Sequence, residues 1–404
     1  MTSLYLPTAT GSLERYELAP AVEWARPTAP LTARHAYAAA HVIPEVTADN
    51  TPGAPAVLDW DTTLAYRREL WSYGLGVADA MDTAQRGMGL DWPATQELIW
   101  RSGAEAAAVV GSNADATRGK TVRDLLACGA GTDQLDLANL PSGRAGLNAV
   151  VEAYREQIKV VSDAGAKVIL MASRALAAVA QSPADYQYVY GILLAEADEP
   201  VILHWLGTMF DPALNGYWGN NDVSAATEIF LELIRAQPEK VDGVKVSLLD
   251  ASHETALRAA LPGSVRLYTG DDFNYPELIH GDGTHYSDAL LGIFAAIYPA
   301  ASAALQAYDD GEAHRGREIL DSTRELGKHI FSSPTFYYKT GVAFLSWVNA
   351  HQPGFQMVGG LHSGRSALHL AETFRLADKA GLLADPDVAA HRFEWLLASY
   401  GVGA

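Results

Sequence analysis

Three features of the sequence predict an α/β fold, a (β/α)8 TIM barrel with a short N-terminal extension and a C-terminal helical appendage. Short, continuously apolar runs alternate with longer amphipathic stretches along most of the chain. The runs lack the polar alternation of a half-exposed strand, so each is expected to be covered on both faces, as in a parallel sheet. Eight such units fall within roughly 250 residues, the span of one barrel. A doubly wound open sheet is the alternative, but no phosphate-binding fingerprint follows its first strand.

The elements follow in order. In residues 1–33, SLYLP and ERYEL are expected to pair as a hairpin across the TATGS turn, and the proline-containing WARPTAPLTAR reads as a connector. Residues 34–300 are assigned to the barrel. Its expected strands are AAHVIPE (39–45), LGVADAM (75–81), AAAVVGS (106–112), AKVILMAS (166–173), PVILHWLG (200–207), DGVKVSLL (242–249), SVRLYTG (264–270) and a weaker one near HGDGTHYSD (280–288). Between them, stretches such as TTLAYRRELWSYG, LNAVVEAYREQIKVVSDAG and SAATEIFLELIRA carry helical periodicity. Residues 301–404 read as helical throughout and are expected to pack on the barrel.

Composition narrows the function. The 404 residues include 29 Lys+Arg and 48 Asp+Glu, a net charge of −19, which disfavours nucleic acid because phosphate backbones repel an acidic protein. With 49% hydrophobic and 19% charged residues the chain can bury a large core. The single cysteine, Cys128, excludes an internal disulfide and a multi-cysteine zinc site. No apolar stretch approaches the ~20 residues of a membrane helix, and the N-terminus lacks the pattern of a signal peptide. A cytoplasmic location without nucleic-acid or membrane partners is expected.

The run VDGVKVSLLD (241–250) carries the first candidate. In a strand, Val244 and Val246 share one face while Lys245 and Ser247 share the other. If the valines meet the helices, Lys245 points into the barrel. A buried ammonium is costly, so such a lysine tends to lose its proton and becomes an amine able to attack a ketone. A lysine paired with a carboxylate at the strand end is the alternative.

VDGVKVSLLD resembles the strand that carries the Schiff-base lysine in the dihydrodipicolinate synthase and N-acetylneuraminate lyase superfamily. Further stretches follow in that family's order: RLYTGDDF (266–273) is similar to its seventh strand, and HGDGTHYSDALLGIFAAIYP (280–299) to its eighth-strand region. LQAYDDGEAHRGREIL (305–320) resembles a helix–Gly–helix passage around Gly311. SSPTFYYKTGVAFL (332–345) places Lys339 where the family has a lysine before a C-terminal helix. The resemblance implies a barrel, a Schiff base on Lys245, no dissociable cofactor and a dimeric or tetrameric homo-oligomer.

The departures from the family bear on the substrate. Where the family has a proton-relaying tyrosine after its fifth strand, ILHWLG (202–207) has His204, the leading acid/base candidate. Where the family binds a 2-oxo-acid carboxylate through Gly-Thr-Thr-Gly-Glu, this chain has GVADAMDTAQRG (76–87). Its Asp79 and Asp82 would repel a carboxylate and accept hydrogen bonds from substrate hydroxyls. This points away from pyruvate and toward a hydroxylated keto compound derived from a keto-sugar or polyol. At the fourth strand end, Ser173 is an assisting catalytic candidate and Arg174 a substrate-binding one. Asp271 and His285 are further catalytic candidates, and Asp272 a binding one.

Two other readings use the same residues. A divalent metal held by His204, Asp271, Asp272, His280 and His285 would describe a metal-dependent aldolase or isomerase, although no His-Glu-x-x-His motif is present and no metal is expected. A non-catalytic sugar-binding barrel would tolerate loss of Lys245. The expectation from sequence is a carbon–carbon or carbon–oxygen lyase of the class I aldolase type, acting on a small keto substrate.

Overall fold

In the computed structural model, which describes residues 2–403, eight parallel strands close into a barrel. A two-stranded antiparallel hairpin, β1 (Ser3–Pro7) and β2 (Leu13–Glu17), precedes them. The barrel strands are β3 (Ala36–Ala39), β4 (Gly76–Asp79), β5 (Leu126–Ala130), β6 (Lys167–Leu170), β7 (Val201–Leu206), β8 (Val241–Ser247), β9 (Arg266–Thr269) and β10 (Asp288–Leu291). They pair in chain order, and β10 closes the ring against β3.

Three expected strands shift. The run AAAVVGS lies inside the helix Trp92–Ser112, and the third barrel strand is β5, LACGA. Alanine-rich apolar runs fit either period, and alanine's helix propensity prevails until Asn113 ends the helix in the left-handed region at φ 51°. The first strand, β3, ends at Ala39, where the expected run begins. The eighth, β10, begins at Asp288, so His280 ends the preceding helix and GDGTHYS is the loop before the strand.

Side-chain parity divides the core in two. Tyr37, Ala39, Ala78, Ala127, Ile169, Ile202, Tyr268 and Leu290 fill the barrel interior with Met81 and Met171. Val77, Val168, Leu203, Val244, Val246 and Leu267 belong to the larger core between barrel and helices. Gly243 makes room for this interior: a Cβ there would lie 2.6 Å from Tyr268 Cε2. Beyond the barrel, helices including Ala313–Ser322, Tyr338–Val348, Ala367–Lys379 and Pro386–Ser399 form the C-terminal region. The N-terminal hairpin is fastened to it: Tyr16 donates to Asp378 at 2.7 Å, and Arg375 to the Pro7 carbonyl at 3.1 Å. Among the described residues no helix is long and apolar enough to cross a membrane.

One buried acid outside the barrel gives the fold a pH signature. Glu254 accepts hydrogen bonds from Thr269 (2.9 Å) and Ser287 (2.8 Å), yet burial pushes its pKa up to about 8. A carboxyl with a raised folded-state pKa holds its proton in the native state while the unfolded chain releases it. Its contribution is present below pH 4.5 and is lost as pH rises through about 8. Glu254→Gln is therefore expected to flatten the fall in stability between pH 5 and 8, a slope of at most about 1.4 kcal/mol per pH unit. Urea unfolding of both proteins across that range measures it; parallel profiles would contradict the assignment.

Candidate active site

Three lysines are buried in the described structure, Lys167, Lys245 and Lys339, and their surroundings differ. Lys167 starts β6 near the N-terminal end of the barrel and pairs with Asp242 at 2.9 Å, an aspartate that Tyr268 also engages at 2.7 Å. It is a satisfied structural ion pair. Lys245 lies on β8 with its side chain inward, opposite His204 of β7 in register. It is 7% exposed and, among the described residues, makes no ion pair and donates no hydrogen bond. Burial lowers its pKa, while Asp82 and Asp272 oppose that shift.

The neighbouring strand end gives Lys245 its space. A Cβ on Gly270 would lie 2.2 Å from Ser247 Oγ, 2.7 Å from the Val246 carbonyl oxygen and 3.1 Å from Lys245 Cε. Gly270→Ala is expected to cost about 1–3 kcal/mol of stability through overpacking and to displace the lysine. Thermal unfolding and the rate of amine modification at Lys245 would report the two effects; an unchanged rate would separate Gly270 from the lysine.

A cavity of about 220 Å³ opens beside these strands, lined by Asp82, Arg86, Ser173, Arg174, His204 and Asp211 among others. Its lining comes from the C-terminal ends of successive barrel strands, the face where barrel enzymes place chemistry. Lys245 is not in the lining itself; its register partner His204 is. The His204 Nε2 lies 3.4 Å from Ser247 Oγ, and its Nδ1 is buried without a partner. Burial, and then the charge of Lys245, hold its pKa well below 6.5, so the imidazole is neutral near pH 7. Ser173 caps the short helix after β6, accepting from Leu176 N–H at 2.9 Å, and its hydroxyl meets that of Thr132 at 2.6 Å. Arg174 pairs with Asp211 at 2.5 Å, and buried Arg86 is engaged by Asp133 and Gln157. Arg86 also donates to the Ala80 and Gly129 carbonyl oxygens and is saturated, whereas Arg174 is held through Nε alone and, among the described residues, keeps both terminal nitrogens free at the cavity.

The two aspartates after β9 differ. Asp271 turns back on its own loop, accepting from Phe273 and Asn274 N–H at 2.9 and 3.0 Å. It acts as a cap and makes no contact with Lys245. Asp272 accepts from Ile293 N–H at 2.8 Å, and burial raises its pKa to about 7, against the pull of that hydrogen bond and of Lys245. It is a carboxyl able to hold or release a proton near neutrality.

Asp79 and His285 stand outside the site. Asp79 is fully buried on the helix-facing side of β4, where Arg67 grips it at 2.8 and 3.0 Å, and Ser102 and Ala80 N–H complete its shell. It has no lone pair to spare for a ligand in the barrel. His285 precedes β10 and so lies at the barrel's opposite end, mostly exposed near Asp282 and beside a separate surface cavity with His35 and Arg258. The proposed His/Asp metal set does not assemble: no group of three or more such side chains converges among the described residues.

The C-terminal region supplies two residues that the sequence reading left without a role. Tyr338 is buried, stacks on Phe331 with ring centres 4.3 Å apart, and hydrogen-bonds Thr83 hydroxyl to hydroxyl at 2.7 Å. Lys339, the next residue, is 2% exposed. Its only sequence signal was its place before a helix; nothing local indicates that this helix reaches the barrel mouth.

A family model described as "Protein of unknown function (DUF993)" matches residues 4–402. The chain belongs to that family. No curated protein matches it in sequence. Among solved structures it is similar to dihydrodipicolinate synthase from Aquifex aeolicus, at 12% identity and TM-score 0.59, over 86% of this chain and 98% of that one. The enzyme from Cyanidioschyzon merolae with lysine bound gives 14% identity and TM-score 0.61, over 87% and 99%. YagE, a prophage protein of the dihydrodipicolinic acid synthase family from E. coli K12 in complex with pyruvate, gives 13% identity and TM-score 0.59, over 86% and 99%. The DUF993 chain thus shares the fold of dihydrodipicolinate synthases across most of its length.

Proposed function

We propose that the protein is a Schiff-base-forming lyase or aldolase that acts on a hydroxylated keto compound by carbon–carbon cleavage or dehydration. The observation that carries this reading is Lys245: a buried, unpaired amine inside the barrel, beside a cavity at the catalytic face. A lysine kept there only for structure would be paired, as Lys167 is.

In this reading neutral Lys245 attacks the ketone carbon, the carbinolamine loses water, and the iminium nitrogen becomes the electron sink. The electrons of a broken carbon–carbon bond, or of an α C–H bond ahead of β-hydroxide loss, flow to that nitrogen and give an enamine. Asp272 is the group suited to take up and return a proton, having a pKa near neutrality. His204, held neutral, serves as a hydrogen-bonding wall next to the amine. Asp82, Ser173 and Thr132 offer oxygen partners to substrate hydroxyls.

The test is borohydride reduction in the presence of pyruvate, hydroxypyruvate, dihydroxyacetone and keto-sugars, read by intact mass and peptide mapping. The expected result is a reduced adduct on Lys245, formed best with a hydroxylated ketone. Best trapping by pyruvate would overturn the substrate assignment, and absence of any adduct would overturn the mechanism.

A further inference from the structure

The N-terminal end of the barrel, opposite the candidate active site, holds a larger cavity of about 500 Å³. Its walls are the end of the helix Ala251–Ala260, the turn 261–265 that follows it, and the residues that lead into β10. Besides His35 and His285, the titratable charges of the lining are Arg258, Arg266 and Asp288, so the cavity is cationic in a chain of net charge −19. Both arginines are fixed at one edge and open at the other. Arg258 donates through Nη1 to Ser287 Oγ at 3.1 Å and to the Leu278 carbonyl oxygen at 3.2 Å. Its Nε and Nη2, the parallel fork that fits two oxygens of one oxyanion, have no acceptor among the described residues. Arg266 pairs through Nε with Asp288 at 3.3 Å and donates through Nη2 to His35 Nε2 at 3.1 Å, which leaves Nη1. The anchors Ser287 and Asp288 are consecutive residues, so both guanidinium groups are drawn to the same stretch of wall. The other oxygen of Asp288 accepts from the His35 N–H at 2.7 Å. Ser264 Oγ and the Gly263 and Ser264 N–H groups likewise find no acceptor among the described residues.

We infer that this cavity binds the phosphate group of a small organic phosphate ester. The donors decide for phosphate over carboxylate. A carboxylate has two oxygens, and the Arg258 fork alone would occupy them. A phosphate ester presents three terminal oxygens, enough to meet Arg266 Nη1 and the N–H groups of the turn as well. The volume decides for an ester over the free ion. The cavity is far larger than one oxyanion needs and lies in the range of small-molecule sites. Leu261, Pro262, Val265 and Leu267 give the rest of the molecule an apolar wall. The held edges of both arginines lower the ordering cost of binding. Such a ligand does not compete with substrate at Lys245, because the two cavities open at opposite ends of the barrel.

Titration calorimetry on the full-length protein tests this. The probes are glycerol 3-phosphate, glucose 6-phosphate and adenosine monophosphate, each beside its phosphate-free parent, with inorganic phosphate as the free ion. The expected result is that at least one ester binds about tenfold or more tightly than its parent and than inorganic phosphate. Arg258→Gln and Ser264→Asp each weaken that ester about tenfold or more, and Arg174→Gln, in the cavity at the other end, leaves it unchanged. Ser264 is exposed and its side chain makes no hydrogen bond among the described residues, so Ser264→Asp places a repelling charge at the site without removing a contact. Circular dichroism verifies folding; if Arg258→Gln, which also loses the bond to Ser287, does not fold, Ser264→Asp carries the comparison. Three outcomes overturn the inference: no ester that binds better than its parent, an ester bound no better than inorganic phosphate, or binding untouched in a folded variant of this cavity. Loss of binding in Arg174→Gln alone would place the phosphate in the candidate active site and overturn it too.

Discussion

Replacement of Lys245 by methionine is expected to abolish adduct formation and to lower turnover by at least about a thousandfold, while the protein becomes no less stable. The stability half of this expectation is the more diagnostic. A buried amine without a partner costs free energy in the folded state, and a methionine of similar length removes that cost. Lys167→Met is the control with the opposite sign, because it strands Asp242 without its cation. The pH dependence follows from the same burial. In the proposed mechanism the nucleophile is the neutral amine, and the folded-state pKa of Lys245 lies below the usual 10.5. Adduct formation should therefore rise with pH and level off before the ordinary lysine range. In that window the unfolded chain binds more protons than the native one, so the stability cost of Lys245 is relieved as pH rises. Calorimetric unfolding of the wild type and Lys245→Met at several pH values checks this. A clear loss of stability in the variant would mark Lys245 as a structural residue.

The largest effect on stability is expected at Arg67. Its guanidinium and the Asp79 carboxylate are both fully buried, and the guanidinium also donates to the His41 carbonyl oxygen at 2.7 Å and that of Thr63 at 3.1 Å. Arg67→Met leaves an ionised carboxylate in the core with only Ser102 and one backbone N–H to answer it. Breaking a buried pair in this way costs about 3–5 kcal/mol. Because Asp79 ends β4, the loop that carries Asp82 to the cavity and Thr83 to the Tyr338 hydroxyl should loosen as well. Urea denaturation would record the loss; a change below about 1 kcal/mol would mean that the site relaxes and admits water.

The alternation within VDGVKVSLLD is enough to place Lys245 inside the barrel, since a period of two allows only one inward set once the valines face the helices. The same rule separates Asp79 from Asp82. Ala78 lies in the interior cluster, so Asp79 must face the helices, and only Asp82, beyond the strand, is free to turn inward. His285 was misplaced by an error in strand position: with β10 starting at Asp288, the histidine falls before the strand and at the wrong end. The third strand was hidden by composition, because an alanine-rich helix end looks more strand-like than LACGA. Thr83, Tyr338 and Lys339 could not be read locally. Their meeting depends on a helix more than 250 positions from Thr83 folding across the barrel mouth, and periodicity says nothing about such distant contacts.

That long-range closure sets an order of events during synthesis. All eight barrel strands leave the ribosome before Tyr338 and Lys339 do. At translation speeds of about 5–20 residues per second, Lys245 precedes Tyr338 by roughly 5–20 s. A nascent barrel therefore exists for a time without the Tyr338 hydroxyl that bonds Thr83 in the loop after β4. The tie between the C-terminal region and the loop after β4 thus closes only while the last quarter of the chain is being made.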